Sequence, residues 1–220
     1  GDWSSDVCSS DLVKEASKGV DKKDVQKMLD VLEKAYYQRK QVLILGNGGS
    51  GATASHFSED LAKGTLNGNI QSDVNRFKAI SLTDNVPFIL ALANDEGYSS
   101  IFEQQLRTYG EKGDIVIAIS GSGNSENVLN AVRYANRKKM ITIGMTGFDG
   151  GKLKKLATHC VHVPINDMGI TEAVHGIILH YVVDYLKDRL NSNIKYIEKV
   201  TSVFDENVEK ERMVKSEVVL

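Results

Sequence analysis

The chain has 220 residues, 41% hydrophobic and 25% charged, with 27 Lys and Arg against 29 Asp and Glu. That balance suits a soluble globular protein built as one domain. It carries no footprint of a nucleic-acid binder or an acidic tail, and no apolar run approaches the length of a membrane span.

The opening GDWSSDVCSSDL resembles a translated sequencing-adapter oligonucleotide, so residues 1–12 are expected to be appended and the native start to lie elsewhere. Without them the acids fall from 29 to 26 against 27 bases, and net charge moves from −2 to +1. Cys160 is then the sole cysteine, which excludes an internal disulfide and fits a reducing, cytoplasmic setting.

Residues 21–40 read as a helix that Asp21 can cap, with Val25, Met28, Leu29, Leu32, Ala35 and Tyr36 repeating at three and four. VLIL at 42–45 is a short buried strand, GNGG a turn, and 50–63 a helix whose first turn Ser50 can cap. A polar stretch at 64–75 is a loop before a strand at 77–82. Thr83, Asp84 and Asn85 form a capping cluster before a helix with Pro87 in its first turn, stopped by Asn94-Asp95-Glu96-Gly97. A helix at 98–109 precedes the most strand-like run, Ile115 to Ile119. Ser120-Gly121-Ser122-Gly123-Asn124-Ser125 then leads into a helix at 126–138, repeating the strand, Gly/Ser turn and helix of the first unit. A strand at 140–144, a loop at 146–151, a short helix at 152–157, a strand at 160–163 and a long helix at 171–190 complete the domain. Residues 191–220 form an extension in which Ile194, Ile197, Val200, Phe204 and Val208 make a weak helical stripe.

Strands alternating with helices imply an α/β fold, three layers around a five-stranded parallel sheet over residues 13–190. Ligands bind such sheets at the carboxyl ends of the strands, where both Gly/Ser loops fall. Backbone N–H groups, hydroxyls and helix N-termini together make an anion cradle. The first loop fits G-x-G-x-x-G, but position 66 is Leu where a dinucleotide site wants an acid, and Ala52 stands where a P-loop needs Lys.

GNGGS at 46–50, SGSGNS at 120–125, His56-Phe57, Ala93-Asn94-Asp95, Thr146-Gly147 with Gly150-Gly151, and a last helix bearing His175 and His180 resemble the sugar isomerase (SIS) domain family, most of all its phosphoheptose isomerases. The resemblance spans about residues 20–190 and implies a flavodoxin-like fold, a homotetramer and active sites between subunits. It implies a sugar phosphate as ligand and an aldose–ketose isomerisation, sedoheptulose 7-phosphate to a D-manno-heptose 7-phosphate. Asn47, Gly48, Gly49, Ser50, Asn94, Asp95, Ser120, Gly121, Ser122, Asn124, Ser125 and Glu172 fall on substrate-binding positions. Asp60 and His180 fall on the catalytic ones, and His56, Asp60, Glu172 and His180 on a set that binds zinc in some members. Asp60 for the usual Glu and an altered 169–170 pair motivate the alternative of a non-catalytic, phosphosugar-binding regulator, while Glu172 for a frequent Gln and Gly121 for a common Thr depart further from the heptose pattern.

Moving a proton between adjacent carbons through an enediolate needs a base over the carbons and an acid at the oxygens. Asp60 and His180 suit those roles. Glu172 and His180 lie eight apart on one helix, about 12 Å along its axis, so a straight helix cannot deliver both to one ion. His56 and Asp60, four apart, share a helix face and can. As bland alternatives, His180 could be a satisfied core histidine, Glu172 a helix-start charge and Asn94-Asp95 a simple stop. His175 reads equally as a contact residue or as packing, His159 and His162 as structural, and Lys152, Lys154 and Lys155 as a solvated face.

Overall fold

IVIAIS, the most strand-like run, is the central strand of a five-stranded, all-parallel sheet. The computed structural model describes residues 9–66 and 74–217, with side chains described over 10–66 and 74–192. In chain order the elements are α1 (Ser9–Lys18), α2 (Lys22–Tyr37), β1 (Gln41–Gly46), α3 (Gly48–Ala62), β2 (Lys78–Ser81), α4 (Val86–Asp95), α5 (Ile101–Tyr109), β3 (Ile115–Ser120), α6 (Glu126–Arg137), β4 (Ile141–Thr146), α7 (Gly151–Leu156), β5 (His159–His162) and α8 (Met168–Glu217). Short 3-10 turns at Gly64–Leu66 and Tyr98–Ser100 complete the set.

The strand order is β2-β1-β3-β4-β5, a doubly wound arrangement whose order reverses between β1 and β3. Residues alternate across the sheet because the strand period is two. Val42, Ile44, Ile115, Ile117 and Ile119 pack with α2, α3 and α8, while Leu43, Leu45, Val116 and Ala118 pack with α5 and α6. Ile117 is fully buried, and truncating it to Ala costs about 2–5 kcal/mol. Register pairs Gly46 with Ile119 and Ser120 with Thr146, which brings the loops after β1, β3 and β4 to one rim.

Asp21 caps α2 as its sequence position suggests, its side chain accepting from Lys23 N at 2.8 Å. Three local expectations need correction. α3 begins at Gly48, so Ser50 lies inside the first turn and Asn47, not Ser50, is the N-cap residue. Asn94 and Asp95 form the last turn of α4 rather than following it. A helix at 9–18, not expected from the sequence, lays Ala16 against α8 and takes in the last residues of the stretch read as appended. The α8 backbone stays helical to Glu217, while the stripe from Ile194 to Val208 lies outside the residues whose side chains are described. Among the described residues no helix is long and apolar enough to cross a membrane.

Candidate active site

β1 and β3 are neighbours, so the loops that follow them stand side by side at the rim. In the first loop Gly48 has φ +52°, and a Cβ on Gly46 would meet the backbone carbonyl of Ser50 at 2.7 Å. Only glycine allows the chain to double back so tightly into a helix. Ser50 is buried in the first turn of α3.

In the second loop the Ser120 hydroxyl accepts from Gly123 N at 3.2 Å and the Ser122 hydroxyl from Asn124 N at 3.3 Å. A hydroxyl that accepts a backbone N–H keeps its own proton for an anion. Ser125 caps α6 by position, but its side chain makes no capping bond. The loop after β4 braces this one: Gly147 N donates to Gly121 O at 2.8 Å, Leu153 N to Gly123 O at 2.9 Å and Lys152 N to Asn124 Oδ1 at 3.2 Å. Gly123, at φ +64°, packs directly on the Gly150 carbonyl, leaving no room for a side chain. Serine hydroxyls, glycine backbone and helix N-termini thus gather at one rim with no lysine or arginine in the loop, an arrangement able to accept an anion.

The Asn47 side chain is engaged by Asn127 and Tyr98 at 2.9 and 3.0 Å. Asn94 donates to Asp95 at 2.7 Å on the exposed end of α4.

α3 and α8 lie side by side. At the rim, the Glu172 carboxylate packs on Gly49. Further along, His56, Asp60 and His180 gather: Asp60 Oδ2 is 3.4 Å from His56 Nε2 and 3.5 Å from His180 Nδ1. One donor atom from each of the three lies within 4.8 Å of the others. Two imidazoles and a carboxylate with an open side are a donor set suited to zinc. Glu172 is not part of this group. α8 is continuous through both positions, so residues 172 and 180 stand about 12 Å apart along its axis. The His56 and His180 side chains are more than half exposed, and the cleft they line with Thr53, Phe57, Gly176 and Leu179 holds only about 20 Å³.

His175 takes the structural course. It is buried under β4, its Nε2 lies 3.3 Å from Thr146 O, and its Nδ1 has no partner among the described residues. Burial lowers its pKa to about 4, which keeps the ring neutral. His162 pairs with the Thr146 hydroxyl at 3.1 Å, and burial lowers its pKa too. Burial raises the Cys160 thiol, so it is a poor nucleophile.

Sequence reasoning missed Asn127 and Tyr98 as partners of the first loop. The signal available was an Asn two residues past a phosphate-type loop, too common a pattern to separate from a helix-start residue.

Residues 9–147 match the SIS domain family. The chain is 38% identical over 167 residues to the phosphoheptose isomerase of Cytophaga hutchinsonii, covering 76% of this chain and 84% of that one. The solved phosphoheptose isomerase of Francisella tularensis superposes with a TM-score of 0.75 at 29% identity, covering 82% of this chain and 93% of that one. The corresponding enzyme of Neisseria gonorrhoeae gives 0.74 at 27%, over 81% and 93%. The chain belongs to the SIS domain family, and the proteins there to which it is 27–38% identical include phosphoheptose isomerases.

Proposed function

We propose that the protein is a phosphosugar aldose–ketose isomerase acting on sedoheptulose 7-phosphate. The observation that carries this reading is the gathering of His56, Asp60 and His180 on helices that start beside paired anion cradles. The cradles hold the phosphoryl end through Ser50, Ser120, Ser122 and Ser125, and this grip orients the sugar. Asp60 takes a proton from carbon 1 of the ketose, giving an enediolate, and returns it at carbon 2. His180 exchanges a proton between the two oxygens. His56, Asp60 and His180 would hold zinc, which when bound polarises the carbonyl. Names carried by relatives at 34–38% identity agree with this activity.

The site is completed by a second copy of the chain, within a homotetramer. The 20 Å³ cleft beside His180 is far too small for a heptose phosphate, and typical ligand pockets run to about 300–1,000 Å³. α4 has the sequence VPFILALAND yet contains no buried residue, and Val86 and Leu90 are exposed. A groove of about 570 Å³ between α1, α2 and α8 exposes Ile177 and Tyr181, next to the His/Asp group. Apolar surface of this extent is what an oligomer covers. A neighbouring subunit on α8 also supplies the fourth ligand that the chain's own Glu172 cannot reach.

The test is incubation of purified protein with sedoheptulose 7-phosphate, with and without added zinc, following aldose formation. Turnover that falls about 10²–10⁴-fold in Asp60→Asn and His180→Ala supports the reading. Binding of the sugar phosphate without turnover in either condition rejects it in favour of a regulatory role. Sedimentation measures the assembly, and a monomer at working concentration rejects the shared site.

A further inference from the structure

Asn127 lies in the first turn of α6 and is 3% exposed. Its side chain and that of Asn47 exchange two hydrogen bonds: Asn47 Nδ2 donates to Asn127 Oδ1, and Asn127 Nδ2 donates to Asn47 Oδ1, each at 2.9 Å. Asn127 Oδ1 also accepts from Val128 N at 2.9 Å, and the Tyr98 hydroxyl donates to Asn47 Oδ1 at 3.0 Å. Asn47 is the N-cap residue of α3, yet its amide makes no capping bond. It reaches across the sheet rim instead.

The geometry points to Asn127, supported by Tyr98, as a positioning residue: a side-chain latch that sets the first cradle at a fixed spacing from the second. The first loop needs holding. Its glycines free the backbone, and N–H groups converge on an anion only when that freedom is removed. The second cradle is already fixed by backbone bonds from Gly147 and Leu153. Among the described residues the first has no such bond to the second beyond the β1–β3 ladder that ends at Gly46, and the amide pair does that work. The amide pair is buried on the Asn127 side, where an unpaired amide is costly, so both partners favour the closed arrangement. Tyr98 links the α4–α5 connection, and with it Asn94 and Asp95, to the same point.

This inference rests on reading the two loops as one phosphosugar site, and its test separates the two. Amide hydrogen exchange over residues 46–51 is measured in the ligand-free full chain for wild type, Asn127→Ala and Tyr98→Phe. KM and kcat for sedoheptulose 7-phosphate are measured for the same proteins, for Asn47→Ala and for the Asn47→Ala/Asn127→Ala double variant. Asn127→Ala is expected to speed exchange over 46–51 about tenfold and to raise KM about tenfold while kcat falls less than about threefold. Tyr98→Phe, on a surface residue, is expected to move both the same way by about half as much on a logarithmic scale. The double variant is expected to be no worse than the poorer single, since each removes the same pair. Unchanged exchange over 46–51 in both Asn127→Ala and Tyr98→Phe overturns the latch. So do losses from the two asparagine variants that simply add. Should wild type turn over no sugar phosphate, the isomerase reading falls, and the exchange measurement alone decides the latch.

Discussion

The carboxylate of Glu172 lies against the backbone of Gly49: a Cβ on residue 49 would stand 2.5 Å from Oε1 and 2.6 Å from Oε2. α8 therefore docks a negative charge at the first turn of α3, where the helix dipole favours it. Gly49→Ala must push that carboxylate away from the rim. The expected outcome is a folded protein whose kcat/KM for the sugar phosphate falls at least about tenfold, since small misplacement at a site is amplified in rate. Steady-state kinetics beside a thermal melt checks this; an unchanged kcat/KM in a folded Gly49→Ala would show that the place of the carboxylate does not matter.

Met168 and Gly121 make a second close pair. The Met168 sulfur occupies the space a Cβ on Gly121 would take, with Thr171 Cγ2 at 3.7 Å behind it. A thioether thus fills the volume of the threonine that the resemblance to the SIS family implies at this position. Gly121→Thr alone is expected to weaken phosphosugar binding by about three- to tenfold, because an overpacked position costs about 1–3 kcal/mol unless a neighbour moves. Met168→Ala in the same chain is expected to recover it. Calorimetric titration of the single and double variants decides; equal losses in both would show that the thioether is not the obstacle.

His175 makes stability depend on pH. Its folded pKa of about 4 lies below the ordinary 6.5, because burial disfavours the charged ring. Between those values the unfolded chain binds a proton that the folded chain does not, so stability rises with pH through this window. The contribution is complete above about pH 6.5 and is lost as pH falls toward 4, a swing of about 3 kcal/mol. Urea unfolding at pH 7 and pH 4.5 measures it. His175→Gln, which can still donate to Thr146 O, is expected to show a smaller fall over the same range.

Much of this architecture was legible beforehand because it rests on local rules. Alternating apolar strands and helices fixed the three layers, and two Gly/Ser turns after adjacent strands marked the rim. What stayed hidden depends on distance in sequence. Ser50 read as a cap because hydroxyls cap helices, but the tight approach of Gly46 to Ser50 starts the helix two residues sooner. The separation of Glu172 from His180 followed from helix rise, whereas the contact of Glu172 with Gly49 depends on how α8 lies along α3. Asn127 and Met168 carry no motif of their own, and only the packed chain reveals what they touch.

Lys139 and Arg39 adopt positive φ, 60° and 58°, at the ends of α6 and α2. Each closes its helix with paired bonds, such as Lys139 N to Asn136 O at 3.1 Å and Met140 N to Ala135 O at 3.0 Å. Glycine suits this position better. Lys139→Gly is expected to raise stability by up to about 1 kcal/mol, the relief of a left-handed side-chain residue less the added freedom of the unfolded chain. Arg39→Gly is expected to gain less, because Arg39 Nη1 also donates to Asn75 Oδ1 at 2.9 Å. Chemical denaturation of both variants ranks them.

These closures sit at the amino ends of the strands, with Asp114, which is buried and accepts from Gln41 N at 3.0 Å and Glu111 N at 2.8 Å. Every group proposed for chemistry lies on the opposite rim or on the helices descending from it. The molecule thus has a foundation and a working edge separated by the full length of its strands. Changes that harden the foundation leave the working edge untouched, so heat tolerance and substrate preference are free to be selected one after the other in the same chain.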